Sequence, residues 1–171
     1  MSNIYSINNW AGSTLYEEDA IVVNGAYHYY ARVPHTSSSN FQTDVNNNLW
    51  KGILNYNGEI RPFFEWKLSY NYSLDIRPTV KSIKFGDGYS VDLPDGINNI
   101  LLPFNASFDS RSLNEYRAIL HFLHARNGNE KFFFIPPAPY NVIKKFICAE
   151  WQPTQSFYNK YSISVKFEER I

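Results

Sequence analysis

Residues 161–169 read "YSISVKFEE", and the period of this stretch decides the fold class of the region around it. Apolar side chains stand at every second position, and polar ones lie between them: Tyr161, Ile163, Val165 and Phe167 against Ser162, Ser164, Lys166 and Glu168. Successive side chains of a β-strand point to opposite faces, so this alternation predicts a strand with one buried face and one face in water.

Shorter runs before this stretch also favour strands. They read "KFFFI" at 131–135 and "KKFICAEW" at 144–151, with the Pro-rich segment "PPAPY" at 136–140 between them. The Pro-rich segment could be a polyproline ligand for another domain, but its position between two strands favours a stiff connection. Strands therefore dominate the C-terminal part of the chain.

One helix is well indicated, at about 111–126. Ser112 and Glu115 have the spacing of a capping box at its start, and Gly128 fits a C-terminal stop. An apolar stripe at helical spacing lies between these signals, at Leu113, Tyr116, Ile119, Leu120 and Leu123. The stripe predicts that the helix packs one face on the sheet.

The stretch "KFGDGYSVDLPDGIN" at 84–98 carries two Asp-Gly turn signals. A three-residue loop, Gly86-Asp87-Gly88, pairs Phe85 with Tyr89 and gives the hairpin one apolar face, whereas a two-residue turn at Asp87-Gly88 would mix apolar and polar partners. We therefore predict the three-residue loop, followed by a second turn at 95–98. A metal or phosphate loop is the alternative, but no helix follows it and further ligands are missing.

The first third of the chain predicts a small β module. Asn24-Gly25 between β-rich runs predicts a two-residue hairpin turn, and residues 33–48 are rich in Ser and Asn and predict a long loop. A turn at Asn57-Gly58 and an extended segment at Arg61-Pro62 suggest a boundary near 56–62. We expect a mainly β, α+β chain with units at 1–60 and 61–171.

Composition restricts the classes of partner. The net formal charge of zero gives no reason to expect nucleic-acid binding. The one cysteine, Cys148, excludes an intrachain disulfide and a metal site with several thiolates. The N-terminal residues lack the basic and apolar regions of an export signal, and no apolar run is long enough to span a membrane. We expect no cofactor, no metal, no membrane insertion, and folding in a reducing cytoplasm. The aromatic content of 18 % exceeds the needs of a core and suggests interfaces.

Several ordered pieces between residue 63 and the C-terminus resemble the lambda-type phage minor tail protein M family. These pieces are Phe64-Glu65-Trp66-Lys67, Phe85-Gly86-Asp87-Gly88-Tyr89, Asp95-Gly96-Ile97-Asn98, Phe134-Ile135-Pro136-Pro137, and Cys148 three residues before Trp151. The chain departs from the family's pattern after Ile135, where an aromatic residue and then a Thr would be expected, and residues 1 to about 60 have no counterpart in its short members.

The resemblance implies a non-enzymatic structural protein with a tail-tube-like antiparallel β-sandwich and one packed helix. It implies a ring, six-fold in such proteins, at the distal end of the tail of a long-tailed phage, where it joins the tail tube protein to other tail-tip proteins. DNA would at most pass through the lumen. The residues that it suggests for contacts between subunits are Phe64, Trp66, Gly86, Asp87, Gly88 and Tyr89.

The N-terminal module is similar, more weakly, to small chitin- and cellulose-binding modules. The segment "NWAGSTLYEEDAIVVNGAYHYYARV" and Trp50 carry this resemblance. It implies that Trp10, Tyr29, Tyr30 and Trp50 could stack on a polysaccharide of the host surface, which would make the protein an accessory adhesin. The alternative is that these rings are the core of a domain of about 55 residues, which has little else to bury.

The sequence gives little support for a catalytic or metal-binding function. Glu17, Glu18 and Asp19 form an acidic run with no second carboxylate at a defined distance, so a tip-associated glycan-degrading enzyme is the weakest hypothesis. His121 and His124 lie three residues apart on the predicted helix without an evident third ligand, which favours packing over metal binding. Cys148 shares a strand face with Phe146, which favours a buried, inert thiol. We therefore predict no catalytic residues.

Overall fold

The computed structural model describes residue 5 and residues 7–70, 72–76, 78–97 and 100–171, except the side chain of Ser156. In the first half the strands are β1 (Asn8–Asn9), β2 (Leu15–Tyr16), β3 (Ile21–Asn24), β4 (Tyr27–Ala31), β5 (His35–Thr36), β6 (Trp50–Lys51), β7 (Ile53–Tyr56), β8 (Glu59–Phe64), β9 (Ser73–Leu74) and β10 (Val80–Lys84). The second half contains β11 (Ser90–Pro94), β12 (Pro103–Arg111), β13 (Phe132–Phe134), β14 (Lys144–Phe157) and β15 (Lys160–Arg170). The helices are α1 (Phe41–Asn46) and α2 (Leu113–Ala125).

Strand β15 lies inside a seven-stranded sheet, in the order β7-β8-β13-β14-β15-β12-β9. It pairs with β14 on one side and β12 on the other, so that Val165 lies between Trp151 and Ala106. Ile163, Val165 and Phe167 are buried, whereas the side chains of Ser164 and Lys166 are exposed. The strand predicted from the alternation is therefore confirmed, and it organises the main sheet.

The mainly β, α+β class is confirmed, although the main sheet is mixed and not purely antiparallel. Strands β8 and β13 run parallel, with Phe63 opposite Phe133 and Phe64 opposite Phe134. Parallel neighbours need a long connection between them. Here β9–β12 and α2 form that connection.

Helix α2 begins as its sequence predicts. The Ser112 side chain accepts a hydrogen bond from the Glu115 amide at 3.2 Å, which caps the first turn. The Glu115 carboxylate accepts a hydrogen bond from Arg111 Nη1 at 2.9 Å. After the helix, Gly128 adopts a φ of +74°, as a C-terminal stop requires.

The core between α2 and the main sheet consists largely of phenylalanine. The rings that meet there include Phe64, Phe104, Phe122, Phe132, Phe134, Phe146 and Phe167. Phe64 alone contacts six aromatic partners at ring-centroid distances of 5.1–6.0 Å. Burying each such ring contributes about 1.5–3 kcal/mol. Much of the aromatic surplus of the sequence is therefore used in the core of the chain.

The N-terminal residues form a four-stranded sheet in the order β1-β3-β4-β6. The β3–β4 hairpin is confirmed, but Asn24 pairs with Tyr27, so the turn residues are Gly25 and Ala26 and not Asn24 and Gly25. Gly25 takes the positive φ that the turn needs, +64°. The turn is one residue later than predicted because Asn24 remains in the ladder.

Residues 33–48 contain more order than the predicted loop. They include β5 and the short helix α1, whose first turn is capped because the Asn40 side chain accepts a hydrogen bond from the Gln42 amide at 2.9 Å. Asp44 is buried and accepts a hydrogen bond from the Ser38 amide at 3.0 Å. Asn and Asp side chains that favour turns also cap helices, and here they do both.

The β7–β8 hairpin crosses the boundary predicted near 56–62. Tyr56 pairs with Glu59, so Asn57 and Gly58 form the turn, with φ values of +50° and +80°. Both strands belong to the main sheet, and β7 forms one of its edges. A division into units at 1–60 and 61–171 remains a prediction about which segments fold alone.

Candidate assembly surface

The β10–β11 hairpin forms a separate two-stranded sheet. Ile83 pairs with Val91 and Lys84 with Ser90, and the Phe85 amide donates a hydrogen bond to the Tyr89 carbonyl at 2.8 Å. This register confirms the three-residue loop predicted at 86–88. Leu93, Val91, Ile83, Phe85 and Tyr89 consequently share one face.

The tip of this hairpin depends on two left-handed residues. Asp87 has a φ of +66° and Gly88 a φ of +79°, a region that Asp tolerates and Gly occupies freely. At the base of the hairpin the Asp95 amide donates a hydrogen bond to the Thr79 carbonyl at 2.9 Å. Gly96, in the second predicted turn, has a φ of +86°, whereas Asn98 lies outside the described residues.

The apolar face of the hairpin is in contact with solvent. Phe85 is 54 % exposed and Tyr89 66 %, and Ile83 and Leu93 are exposed as well. Isolated two-stranded hairpins are marginally stable in water, and contiguous exposed apolar side chains mark interaction sites. The hairpin, which we call the apolar hairpin (residues 80–94), is therefore the main candidate surface for a protein contact.

Two of the predicted contact residues need a correction. Phe64 is 1 % and Trp66 4 % exposed, because β8 and the segment after it place both rings in the core next to Phe122. They offer almost no surface to another chain. Gly86, Asp87, Gly88 and Tyr89, by contrast, all lie exposed at the hairpin tip.

An apolar groove of about 520 Å³ opens elsewhere on the surface. Residues 63–70 and Tyr72 line it together with Phe134, Ile135 and Pro137. Tyr70 and Ile135 are exposed at its rim, and Phe64 and Trp66 lie beneath it. We call this feature the 63–72 groove. Sequence reasoning missed it, although the density of aromatic residues between 63 and 72 was a signal.

A second exposed aromatic pair was also missed. Phe157 and Tyr158 lie at the turn between β14 and β15 and are 75 % and 96 % exposed. Their signal in the sequence is the turn residue Asn159, with a φ of +55°, directly after them. The longest hairpin of the sheet thus also ends in aromatic side chains.

Most of the chain after the N-terminal segment is similar to known proteins. The sequence profile of the family described as phage minor tail protein matches residues 62–171. The chain belongs to the phage minor tail protein family. It is also 30 % identical over 108 residues to the protein called tail tip protein M of Escherichia phage lambda. The aligned region covers 63 % of this chain and 96 % of that protein. The resemblance of the region after residue 63 to this family is confirmed.

In this minor tail protein, the N-terminal aromatic residues proposed for glycan binding are divided between core and surface. Tyr30 is 1 % and Trp50 4 % exposed, so these two candidates are corrected to core residues. Trp10 and Tyr29 are half-buried, and both contact Phe41 edge to face. Tyr30 is part of the main core cluster and Trp50 is part of a smaller N-terminal cluster, which explains their burial.

Polar contacts attach the N-terminal segment to the region that the family shares. The Trp66 indole donates a hydrogen bond to Asp19 at 3.0 Å, and Lys51 Nζ lies 2.6 Å from the same carboxylate. Arg32 and Glu65 form a bidentate ion pair. The N-terminal segment therefore packs on the tail-protein region through specific contacts.

Helix α2 takes part in this attachment through His121. The Tyr30 hydroxyl and His121 Nδ1 lie 2.9 Å apart, and the His28 ring packs edge to face on His121. Burial, with the nearby His28 and Arg126, lowers the pKa of His121 to about 4, and burial raises the pKa of Tyr30. His121 consequently acts as a neutral partner in packing at neutral pH.

The structure gives no support for a reactive thiol at Cys148 or for a metal site among the described residues. Cys148 is buried, and burial raises the pKa of its thiol to about 12, so it is a poor nucleophile. Among the described residues no cluster of three or more His, Cys, Asp or Glu side chains could hold a metal ion. No helix within the described ranges is long and apolar enough to cross a membrane.

Proposed function

We propose that this chain is a structural subunit of the tail tip of a long-tailed phage. Its copies form a ring, of six subunits as the family resemblance implies, between the tail tube protein and other tail-tip proteins. The name of the lambda relative supports the location. The subunit performs no catalysis, and DNA passes at most through the lumen of the ring.

The apolar hairpin is the observation that carries this proposal. Monomeric proteins rarely leave so many neighbouring apolar side chains in water. A two-stranded hairpin with exposed Phe85 and Tyr89 becomes stable when another protein covers it. A subunit of an assembly has such a partner, and a free enzyme or a free lectin does not require one.

Complementation tests the proposal. A phage that lacks this gene is supplied with the wild-type protein, with Tyr89→Ala, or with a deletion of residues 86–88. We expect both variants to remain soluble and folded but to yield far fewer infectious particles. Leu15→Ala is the matched control, because Leu15 is also exposed and lies in the N-terminal part. Normal titres from both hairpin variants would contradict the assembly role of this hairpin.

Binding of a host polysaccharide by the N-terminal part is a second, less supported function. It now depends on Trp10 and Tyr29, since the other two candidate rings are buried. Several weak sites on one ring would bind with a higher overall avidity, because after the first contact the later binding events are intramolecular. Retention of wild-type protein on host polysaccharide, lost in Trp10→Ala while the fold persists, is the expected result. Equal retention of both proteins would argue against a stacking role for Trp10.

A further inference from the structure

We propose that the tip of the apolar hairpin of one copy docks into the 63–72 groove of the next copy. This inference rests on the proposed ring assembly and names the partner of its main contact surface. The contact joins two different surfaces of the same chain, which makes it heterologous. Heterologous contacts generate rings when the rotation closes, as a tail-tip ring requires.

The two surfaces match in chemistry. The hairpin tip presents the exposed rings of Phe85 and Tyr89. The groove is lined mainly by apolar side chains, with Tyr70 and Ile135 at its rim. No hairpin residue is among those that line the groove, so the two surfaces of one chain do not cover each other. A second copy brings both surfaces together.

The charges at the two surfaces are complementary. Asp87 lies exposed at the hairpin tip, and Lys67 lies exposed among the residues that line the groove. Neither forms an ion pair with another residue in the part of the chain that the structure describes. Insertion of the tip would place the Asp87 carboxylate near the Lys67 ammonium group, which would fix the orientation of the hairpin.

The size of the contact fits a subunit that assembles only on a growing tail. Aromatic side chains bury about 150–250 Å² each, and Phe85 and Tyr89 are 54 % and 66 % exposed, so docking can bury roughly 180–300 Å² at the tip. A stable complex needs about 800 Å² per partner. The docked tip alone therefore leaves free subunits largely monomeric, and the remaining area comes from other contacts in the assembled ring.

Disulfide trapping between two variants, each with one introduced cysteine, tests the docking. Gly86→Cys adds a thiol in open space at the tip, and Ile135→Cys adds one at the groove rim. The native Cys148 is buried, so it can remain. After oxidation of concentrated, mixed proteins, we expect at least a tenfold excess of the mixed dimer over a mixture of Gly86→Cys with Leu15→Cys, whose thiol is at an exposed position of strand β2.

Exchanging the charges of Asp87 and Lys67 tests the same contact while the rings of Phe85 and Tyr89 are kept. Asp87→Lys in the Gly86→Cys protein and Lys67→Asp in the Ile135→Cys protein should each lower the yield of the mixed disulfide by about threefold to tenfold. Both substitutions together, the double variant, should restore it. The backbone strain of a lysine at position 87 is the same in the single and the double variant, so the restoration reports the contact alone.

The outcomes separate this inference from the proposed function. If Tyr89→Ala blocks complementation but the mixture of Gly86→Cys and Ile135→Cys forms no more disulfide than the control, the hairpin binds another tail protein and the docking is wrong. If the disulfide forms while Tyr89→Ala complements normally, copies dock in this way but the contact is not needed for the tail. Disulfide together with failed complementation supports both.

Discussion

The Tyr30 hydroxyl and His121 Nδ1 lie 2.9 Å apart in the buried space between strand β4 and helix α2. This pair connects the part of the chain that precedes the family match to the helix inside it. The two regions therefore share one packed interior.

Tyr30→Phe should lower the free energy of unfolding by about 1–3 kcal/mol, because it leaves the buried His121 nitrogen without its partner. Urea denaturation measures the change. Tyr27→Phe is the control, since Tyr27 is exposed and its hydroxyl stays in water. An equal, negligible effect of both substitutions would show that the pair contributes no stability.

Stability should fall as the pH drops from about 6.5 to about 4. Burial holds the pKa of His121 near 4, below its ordinary value of 6.5, so in this window the unfolded chain binds a proton that the folded chain does not. His28 and His124 have lowered pKa values as well, for which burial is the main cause, and act in the same direction. The His121→Gln variant should show a flatter profile of unfolding free energy against pH. A profile as steep as that of the wild type would contradict this role of His121.

Asp19→Asn should destabilise the fold by about 3–5 kcal/mol, because it leaves the nearly buried Lys51 ammonium group without its counter-charge. Thermal denaturation gives the measurement. Glu17→Gln provides the control in the same acidic run, where the side chain is exposed. If the two variants unfold at the same temperature, the buried ion pair has no structural importance.

Phe64→Ala and Tyr89→Ala should separate stability from assembly. The first removes a ring from the centre of the core and should cost about 3–5 kcal/mol, whereas the second changes an exposed side chain and should alter stability by no more than about 0.5 kcal/mol. Denaturation and complementation are measured on the same variants. A stable Phe64→Ala protein, or an unfolded Tyr89→Ala protein, would contradict the division between core and contact surface.

Gly88→Ala should impair the hairpin tip, because a residue with a Cβ is strained at a φ of +79°. Gly86→Ala is the matched control, since both positions have open space around them and only Gly88 has the unfavourable φ. We expect reduced complementation by Gly88→Ala alone. Equal titres from the two variants would mean that the tip does not need its left-handed turn.

Local patterns in the sequence predicted much of the fold. Alternation gave the strand around Val165, cap and stop residues gave the helix after Ser112, and the apolar pairing of Phe85 with Tyr89 gave the loop between them. Each of these signals depends only on neighbours in the sequence. The turn after Asn24 shifted by one residue because the ladder of the hairpin, and not the turn residues alone, determines the register.

The burial of individual aromatic side chains could not be predicted in the same way. Trp66 and Tyr89 are equally aromatic in the sequence, but the Trp66 ring packs against Phe122 of α2, whereas Tyr89 lies exposed at a hairpin tip. Which ring is buried depends on contacts between distant segments, such as Tyr30 with Phe122 and Asp19 with Trp66. The parallel pairing of β8 with β13 could not be predicted for the same reason, because it joins strands that lie far apart in the sequence.

Labelling of intact tails tests whether this protein forms part of the tail tip. Antibodies against residues 8–51 are applied to purified particles, which are examined by electron microscopy, with mass spectrometry of the same preparation. We expect the protein to be present in tails and the label to lie at the end distal to the head. Tails that lack the protein, or that carry the label along the shaft, would contradict this expectation.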